Sequence, residues 1–394
     1  MSYIDYTEDL LGLKDVIVTK IKEIDNAKHI YLDCKLQTQV CPHCNFPTKR
    51  VHSYRVQIVK DIPSFGKLTL LHIRKRRYYC PHCGHVFQEK LSFLNRYQRT
   101  TPRLLAQVLA DFRSSDATKA IAKRNGISPG VATRMFHFVS YGNPKLPKVL
   151  SIDEFKGNAG RKYQCILADP VHKKVLDILP NRLTTELKNH FLSTYTLDQR
   201  KNVEYFVMDM SGQFAEIVEF CFPNAKIVID KFHVCRHVLW ALEKKRKDIQ
   251  ASLSSDKRKW FKRSRFILLK HSDKLTQEEI SKLEIMMKYS EELRNAYAVK
   301  ESFCKLLSSN SREEAEKNYL GFQLCVHITN IPEFVKCYEM IAKRKERFLR
   351  AYATGYTNGF TEGCNNRIKV LKRNCYGVRN FERFRNRILH MMSA

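Results

Sequence analysis

Two copies of Cys-Pro-His-Cys supply Cys41/Cys44 and Cys80/Cys83, and each pair is spaced to grip one side of a tetrahedral ion through thiolates. Paired knuckles of this kind are the usual layout of structural zinc, and a closed four-cysteine shell folds a module rather than catalysing a reaction. Reduced, buried thiols are the other use such cysteines find. His43, His82 and His85 could each replace a ligand, although two complete cysteine pairs make that unnecessary. The thirteen cysteines form an odd set spread over a long chain without a secretion signal, which argues against a disulfide framework.

Three acids offer a different chemistry. Asp153 lies in "VLSIDEF" and Asp209 in "YFVMDMSG", each near the end of an apolar run that reads as a strand. In an open α/β sheet ligands gather at the carboxyl ends of the strands, so two parallel neighbours would present these carboxylates side by side. Adjacent carboxylates repel unless a cation lies between them, and a divalent metal resolves the conflict. A turn or helix cap is the ordinary use of either aspartate alone. The third acid, Glu362, sits in "GFTEGCNNRIKVLKR". At about 100° per residue, Glu362, Asn366, Lys369 and Arg373 share a sector of roughly 60°, with Cys364, Ile368, Leu371 and Cys375 opposite. A helix packed through the second face would show acid, amide and two bases on the first. That stripe suits a phosphodiester, the acid holding an ion and the bases the phosphate; a solvated surface stripe is the alternative. Gly359 and Gly363 flank the acid at a cost of about 1 kcal/mol for each that lies in a helix interior, as if something approached the backbone there.

These residues need elements to position them. The chain has 394 residues, 43% of them hydrophobic, enough for about two or three packed domains. Its 70 Lys and Arg against 40 Asp and Glu leave a formal charge of +30, which points to a polyanion, nucleic acid first. No apolar run approaches a spanning helix, so the expectation is a non-membrane protein of the cytoplasm or nucleoid. Residues 16–36 alternate around Asp25-Asn26 as a hairpin. Between the knuckles, two strand-like runs carry Arg74, Lys75, Arg76 and Arg77 beside Tyr78 and Tyr79, placed to track phosphates or stack on bases, or simply to form a solvated strand. A helix around Thr118–Arg124, a turn at Gly126 and a second helix opened by Ser128-Pro129 outline a helix-turn-helix, a shape that ordinary helical hairpins share. "YGNPKLPKVL" is the clearest linker. Beyond it, β-rich runs alternate with helices in an α/β pattern as far as "KIVIDKF", and a long charged helical stretch follows.

"SIDEF", "VMDMSG", "DKFHV" and "GFTEGCNNRIKVLKRNCYGVRNFERFRNRI", together with the paired knuckles, resemble the DDE transposases of bacterial insertion sequences, specifically the ISL-three family. The resemblance covers nearly the whole chain. It implies a multi-domain α/β protein whose ribonuclease-H-like catalytic core carries an α-helical insertion and follows a zinc ribbon and a helix-turn-helix. The expected organisation is an N-terminal hairpin segment at 1–40, zinc ribbon at 41–92, helix-turn-helix at 93–146, first part of the core at 147–236, helical insertion at 237–350 and C-terminal part of the core at 351–394. It also implies Asp153, Asp209 and Glu362 as the metal-binding triad, separated by 56 and then 153 residues, the second interval long enough for the insertion.

Two Mg²⁺ or Mn²⁺ ions there would activate water or a DNA 3′-hydroxyl. Asp230 and His233 become near-site candidates, each with an ordinary structural use, as helix cap and packed ring. Lys369 and Arg373 would clamp phosphate, and Trp260 in the insertion could stack on an unpaired base or belong to the core. The implied partners are double-stranded DNA, as terminal inverted repeats and target, and further copies of the chain in a homodimer or larger assembly on DNA. A zinc-ribbon and helix-turn-helix regulator with a retired catalytic domain is the alternative, and an RNA-processing protein a more distant one.

Overall fold

A computed structural model describes residues 11–158 and 163–393, so the first ten residues of the expected N-terminal segment lie outside the described residues. Contacts divide the chain into two compact units. One runs through Tyr141 and resumes at Lys369; the other spans Gly142–Ile368.

In the first unit, β1 (Val16–Ile24) and β2 (Ala27–Cys34) form the expected hairpin, with Asp25 and Asn26 both at positive φ in its two-residue turn. The hairpin is not a separate segment. β2 pairs in parallel with β6 (Lys67–Tyr79), which pairs antiparallel with β5 (Val51–Ser64) and with β7 (Val86–Gln88), giving the order β1-β2-β6-β5. Leu13, Val16, Ile30, Leu32, Val59, Leu71 and Ile73 form the core on one face.

The knuckles lie at opposite ends of the chain that makes β5 and β6, and they are built alike. Asn45 donates its backbone N–H to Cys41 O and Gly84 its own to Cys80 O, each from a left-handed residue just past the second cysteine. Between β3 (Gln39–Val40) and β4 (Pro47–Thr48) the first knuckle faces the second, with Sγ separations of 3.6 Å for Cys41–Cys83 and 3.4 Å for Cys44–Cys80. All four sulfurs lie within 4.8 Å of one another. His43 stacks on His85 and His82 on Phe46, so the knuckle histidines pack as rings around the cluster.

Helices Pro102–Asp111, Thr118–Arg124 and Pro129–Phe136 follow. Ser128 accepts from Val131 N at the start of the third, with Pro129 in its first turn, as its sequence predicts. Gly126 turns the chain at φ +63°, a conformation that favours glycine, and a Cβ there would lie 2.4 Å from Leu68 Cδ2 and require that exposed side chain to shift. The last helix, Phe381–Met392, belongs to this unit although the sequence reading grouped 351–394 with the core. Arg385, Arg387 and His390 of this helix are inward, while Arg383 is exposed. Arg387 donates to Ser114 O at 2.8 Å and Asp116 O at 3.0 Å, Arg385 to Tyr141 O at 3.0 Å, and His390 Nε2 lies 2.7 Å from Leu109 O. Burial pulls the Arg387 guanidinium down to about 10.

The second unit is built on five strands in the order β10-β9-β8-β11-β12. β8 (Val149–Lys156), β11 (Tyr205–Met208) and β12 (Lys226–Ile229) pair in parallel, while β9 (Tyr163–Asp169) pairs antiparallel with β8 and β10 (Lys174–Leu179) antiparallel with β9. The strand runs read from sequence are all present. Leu150, Ile152, Phe206, Met208 and Ile227 join one face to a hydrophobic core that continues through Val234, Leu242, Phe303, Phe322 and Phe334. The helical stretch therefore shares the sheet's core, and helix Lys231–Ser252 runs unbroken across the expected boundary at residue 237. On the other face, alternate residues Val149, Val207 and Val228 pack with Ala351 of helix Lys345–Thr354.

Cys80→Ser should abolish retention of one zinc per chain, measured by atomic absorption after gel filtration, and expose the knuckle region to protease. Arg387→Met leaves two partly buried carbonyls without this donor and should cost about 2 kcal/mol in urea denaturation.

Candidate active site

Strand register brings the aspartates together. Ser151 of β8 lies opposite Val207 of β11, so two residues further along both strands Asp153 stands level with Asp209. Met208 lies opposite Ile229 of β12, which sets Asp230 level with Asp209 in turn. Alternation turns Asp153 to the face of Val149 and Ser151, away from the core shared with the helices.

Glu362 reaches this edge on helix Gly359–Asn374, and three side-chain hydrogen bonds fix where. Asn358 Nδ2 donates to Ile152 O at 3.2 Å, the Thr361 and Ser151 hydroxyls meet at 2.9 Å, and Asn365 Nδ2 donates to Asp153 Oδ2 at 2.8 Å. Thr361, Cys364, Asn365, Ile368 and Leu371 are buried, while Glu362, Asn366, Lys369 and Arg373 face outward, as the helical spacing predicts. Among the described residues, nothing beyond its chain neighbours and its own helix backbone comes within 4 Å of where a Cβ on Gly363 would stand, so no packing asks for glycine there and the space beside the acid is open.

Burial pushes the Asp153 carboxyl up to about 6, and the charge of Asp209 adds to the rise, while the N–H of Glu154 and the amide of Asn365 oppose it. Asp209 accepts from Ser211 N at 2.8 Å, and His233 Nε2 stands 3.9 Å from its other oxygen. Burial likewise raises Asp230, with the backbone N–H groups of Asn358 and Phe232 opposing and the charge of Glu362 adding to the rise, and among the described residues its buried Oδ1 has no hydrogen-bond partner. Although Asp230 precedes helix Lys231–Ser252, its side chain makes no capping bond. Arg236, one turn into that helix, lies 3.8 Å from Glu362. The set is all hard oxygen donors, the type that suits Mg²⁺ or Mn²⁺. The three acids do not converge as tightly as the cysteines: among the described residues, the groups with ligand atoms within 4.8 Å of one another are the four cysteines and His271, Glu301 and Cys304. In that second group Glu301 is already ion-paired with the buried Lys300.

Other sequence candidates fall elsewhere. In the Arg74–Arg77 run, Arg76 is ion-paired with Glu89 at 3.0 Å and also donates to Cys34 O, and Lys75 is buried against Gln57. Those two are structural. Arg74 and Arg77 are exposed, Arg74 over the Tyr54 ring at 4.0 Å. Trp260 occupies a 3-10 turn, Lys259–Phe261, 40% exposed. Sequence reasoning missed Asn358, Thr361 and Asn365. Their signal was polarity at positions of the Glu362 helix that face the same way as its apolar residues.

The transposase family profile matches residues 150–388, and the profile described as the zinc-finger of transposase IS204/IS1001/IS1096/IS1165 matches residues 37–83. The chain is 26% identical over 363 residues to the transposase for insertion sequence element IS1001 of Bordetella parapertussis, covering 90% of this chain and 89% of that one. It is 23% identical over 258 residues, 59% of this chain and 57% of the other, to the transposase for insertion sequence element IS1557 of Mycobacterium tuberculosis. A Lactococcus lactis protein named as an ATP-dependent protease is 33% identical over 119 residues, 29% of this chain and 35% of its own length. The present sequence contains no G-x-x-x-x-G-K-S/T phosphate loop. A zinc-ribbon region joined to a matched transposase domain defines a transposase. The chain belongs to the ISL3 family of DDE transposases. Among the described residues no helix is long and apolar enough to cross a membrane.

Because Asp153 titrates near 6 when folded and near 3.8 when unfolded, the folded state binds its proton more tightly. Stability therefore falls as pH rises between those values, by about 3 kcal/mol once the group is ionised. Asp153→Asn should raise the Tm of protein without added magnesium or manganese at pH 8 and raise it much less at pH 4.5. An equal gain at both would show that the charge is not the cause.

Proposed function

We propose that the Gly142–Ile368 unit is a ribonuclease-H-like core in which Asp153, Asp209 and Glu362 hold divalent metal and cut and join DNA strands at the ends of an insertion sequence. The observation that carries this reading is the levelling of Asp153 with Asp209 across parallel strands, with the Glu362 helix hydrogen-bonded to the same strand. Bound Mg²⁺ or Mn²⁺ would supply an activated water or 3′-hydroxyl and neutralise the leaving oxygen. The chain's own residues do the rest. Asn365 orients one oxygen of Asp153 and, with the N–H of Glu154 on the other, favours the ionised carboxylate that a cation needs. His233 stands against Asp209 from the side of helix Lys231–Ser252. Lys369 and Arg373, two and three turns beyond Glu362 on its exposed stripe, would take the phosphate.

The helices Thr118–Arg124 and Pro129–Phe136 serve in this reading as a helix-turn-helix whose second helix enters a major groove. The four-cysteine module, with Arg74 and Arg77 outward, adds phosphate contacts. The partner is duplex DNA bearing the terminal inverted repeats, and joining two ends requires at least two copies of the chain. A retired enzyme acting as a regulator is less well supported, since all three acids are present and Asn358, Thr361 and Asn365 tie the Glu362 segment to the strand that carries Asp153.

Wild-type protein and Glu362→Gln should bind a labelled duplex carrying the element's terminal repeat equally. With Mg²⁺ or Mn²⁺ only the wild type should nick it at the repeat boundary, the mutant losing at least about a thousandfold in rate. Equal nicking by both would remove Glu362 from the site, and binding without nicking by either would favour the regulator.

A further inference from the structure

Helix Lys231–Ser252 starts beside the acids and leads away from them. Its inner face is core, through Val234, Val238, Ala241, Leu242 and Ile249. Its outer face repeats every fourth residue: Phe232, Arg236, Trp240 and Lys244 form one exposed ridge, with Phe232 and Trp240 each 58% exposed. Scattered apolar residues on a surface need no explanation, but two large aromatics in strict alternation with two bases are not scattered. The ridge is joined to the acids twice. Arg236 lies 3.8 Å from Glu362, and a file of rings runs outward from Asp209 through His233 to His237, 5.6 Å between centroids, and from His237 to Trp240 at 5.4 Å.

We propose that this ridge is a track for an unpaired DNA strand entering or leaving the acidic site, with Trp240 and Phe232 stacking on bases and Arg236 and Lys244 following the phosphates. The inference rests on the strand-cutting reading above. A cationic row suits any polyanion, but an exposed indole and phenyl gain from nucleic acid only where a base presents its face. In a duplex those faces are stacked inside. The partner is therefore single-stranded, and continuity with a site that opens DNA strands makes it DNA. Trp260, the tryptophan favoured by sequence alone, lies in a separate short turn, while Trp240 heads a file of rings that begins at Asp209.

The chain has two tryptophans, so Trp260→Phe leaves Trp240 as the sole indole fluorophore. In buffer without added magnesium or manganese, a thymidine 20-mer should quench that fluorescence on binding. Trp240→Leu should weaken binding of the 20-mer about tenfold, Trp240→Phe should stay within threefold of wild type, and affinity for a blunt duplex should be unchanged in both. Absence of quenching, retention of single-strand affinity by Trp240→Leu, an equal loss on duplex, or tighter binding of a uridine 20-mer would each overturn the proposal. No cleavage is involved, so failure here beside intact metal-dependent nicking leaves the catalytic reading standing. Quenching without nicking isolates the opposite failure.

Discussion

Like charges must be held together at the end of a sheet, and most of the second unit follows from how that is done. Asp153 and Asp209 are neighbours because their strands are parallel and in register, and the charge of Asp209 adds to the cost of ionising Asp153. Strand β12 adds Asp230 beside Asp209 in the same way, but Glu362 comes from far along the chain. The Glu362 helix reaches them through contacts of its own, Asn358, Thr361 and Asn365, spread over two turns and all directed at β8. Hydrophobic residues from the same helix complete the seat, so the acid is positioned by packing and hydrogen bonds that do not involve its own charge.

The strong positive charge divides into two populations. Arg76, Arg103, Arg385 and Arg387 are bound to buried acids or carbonyls and hold the first unit together. The remainder, among them Arg74, Arg77 and the bases beyond Glu362, face outward. Counting lysines and arginines in a sequence merges the two, and so overstates how much of the charge is available to a polyanion.

What could be read beforehand was whatever depends on neighbours along the chain. The knuckles, the Asp25-Asn26 hairpin, the Ser128-Pro129 helix start and every strand of the second sheet carry local signatures of spacing, turn chemistry or periodicity. Which face of the Glu362 helix packs was legible for the same reason. The rest depends on residues far apart. Nothing near Ala27–Cys34 announces a parallel pairing with β6, nothing near Arg76 names Glu89, and the tail around Arg387 looks like an exposed basic helix until the carbonyls of Ser114 and Asp116 are found beneath it. The sequence marks the helical stretch as an insertion at 237–350 but not what it packs on, and its apolar residues and those of the strands make one core.

The bond between Asn365 and Asp153 spans 212 residues, and it has a consequence for the order of events on the ribosome. Strands and helices emerge from the N-terminus and fold as they appear. The aspartates at the ends of β8 and β11 can meet as soon as those strands have paired, but Glu362 follows 153 residues after Asp209 and its anchoring amides lie beside it. A nascent chain, or one cut short by an early stop codon or a frameshift, has half an acidic site and no third acid. Part of the site is therefore set by the pairing of the sheet itself, and the rest only when a segment 212 residues downstream has docked on it.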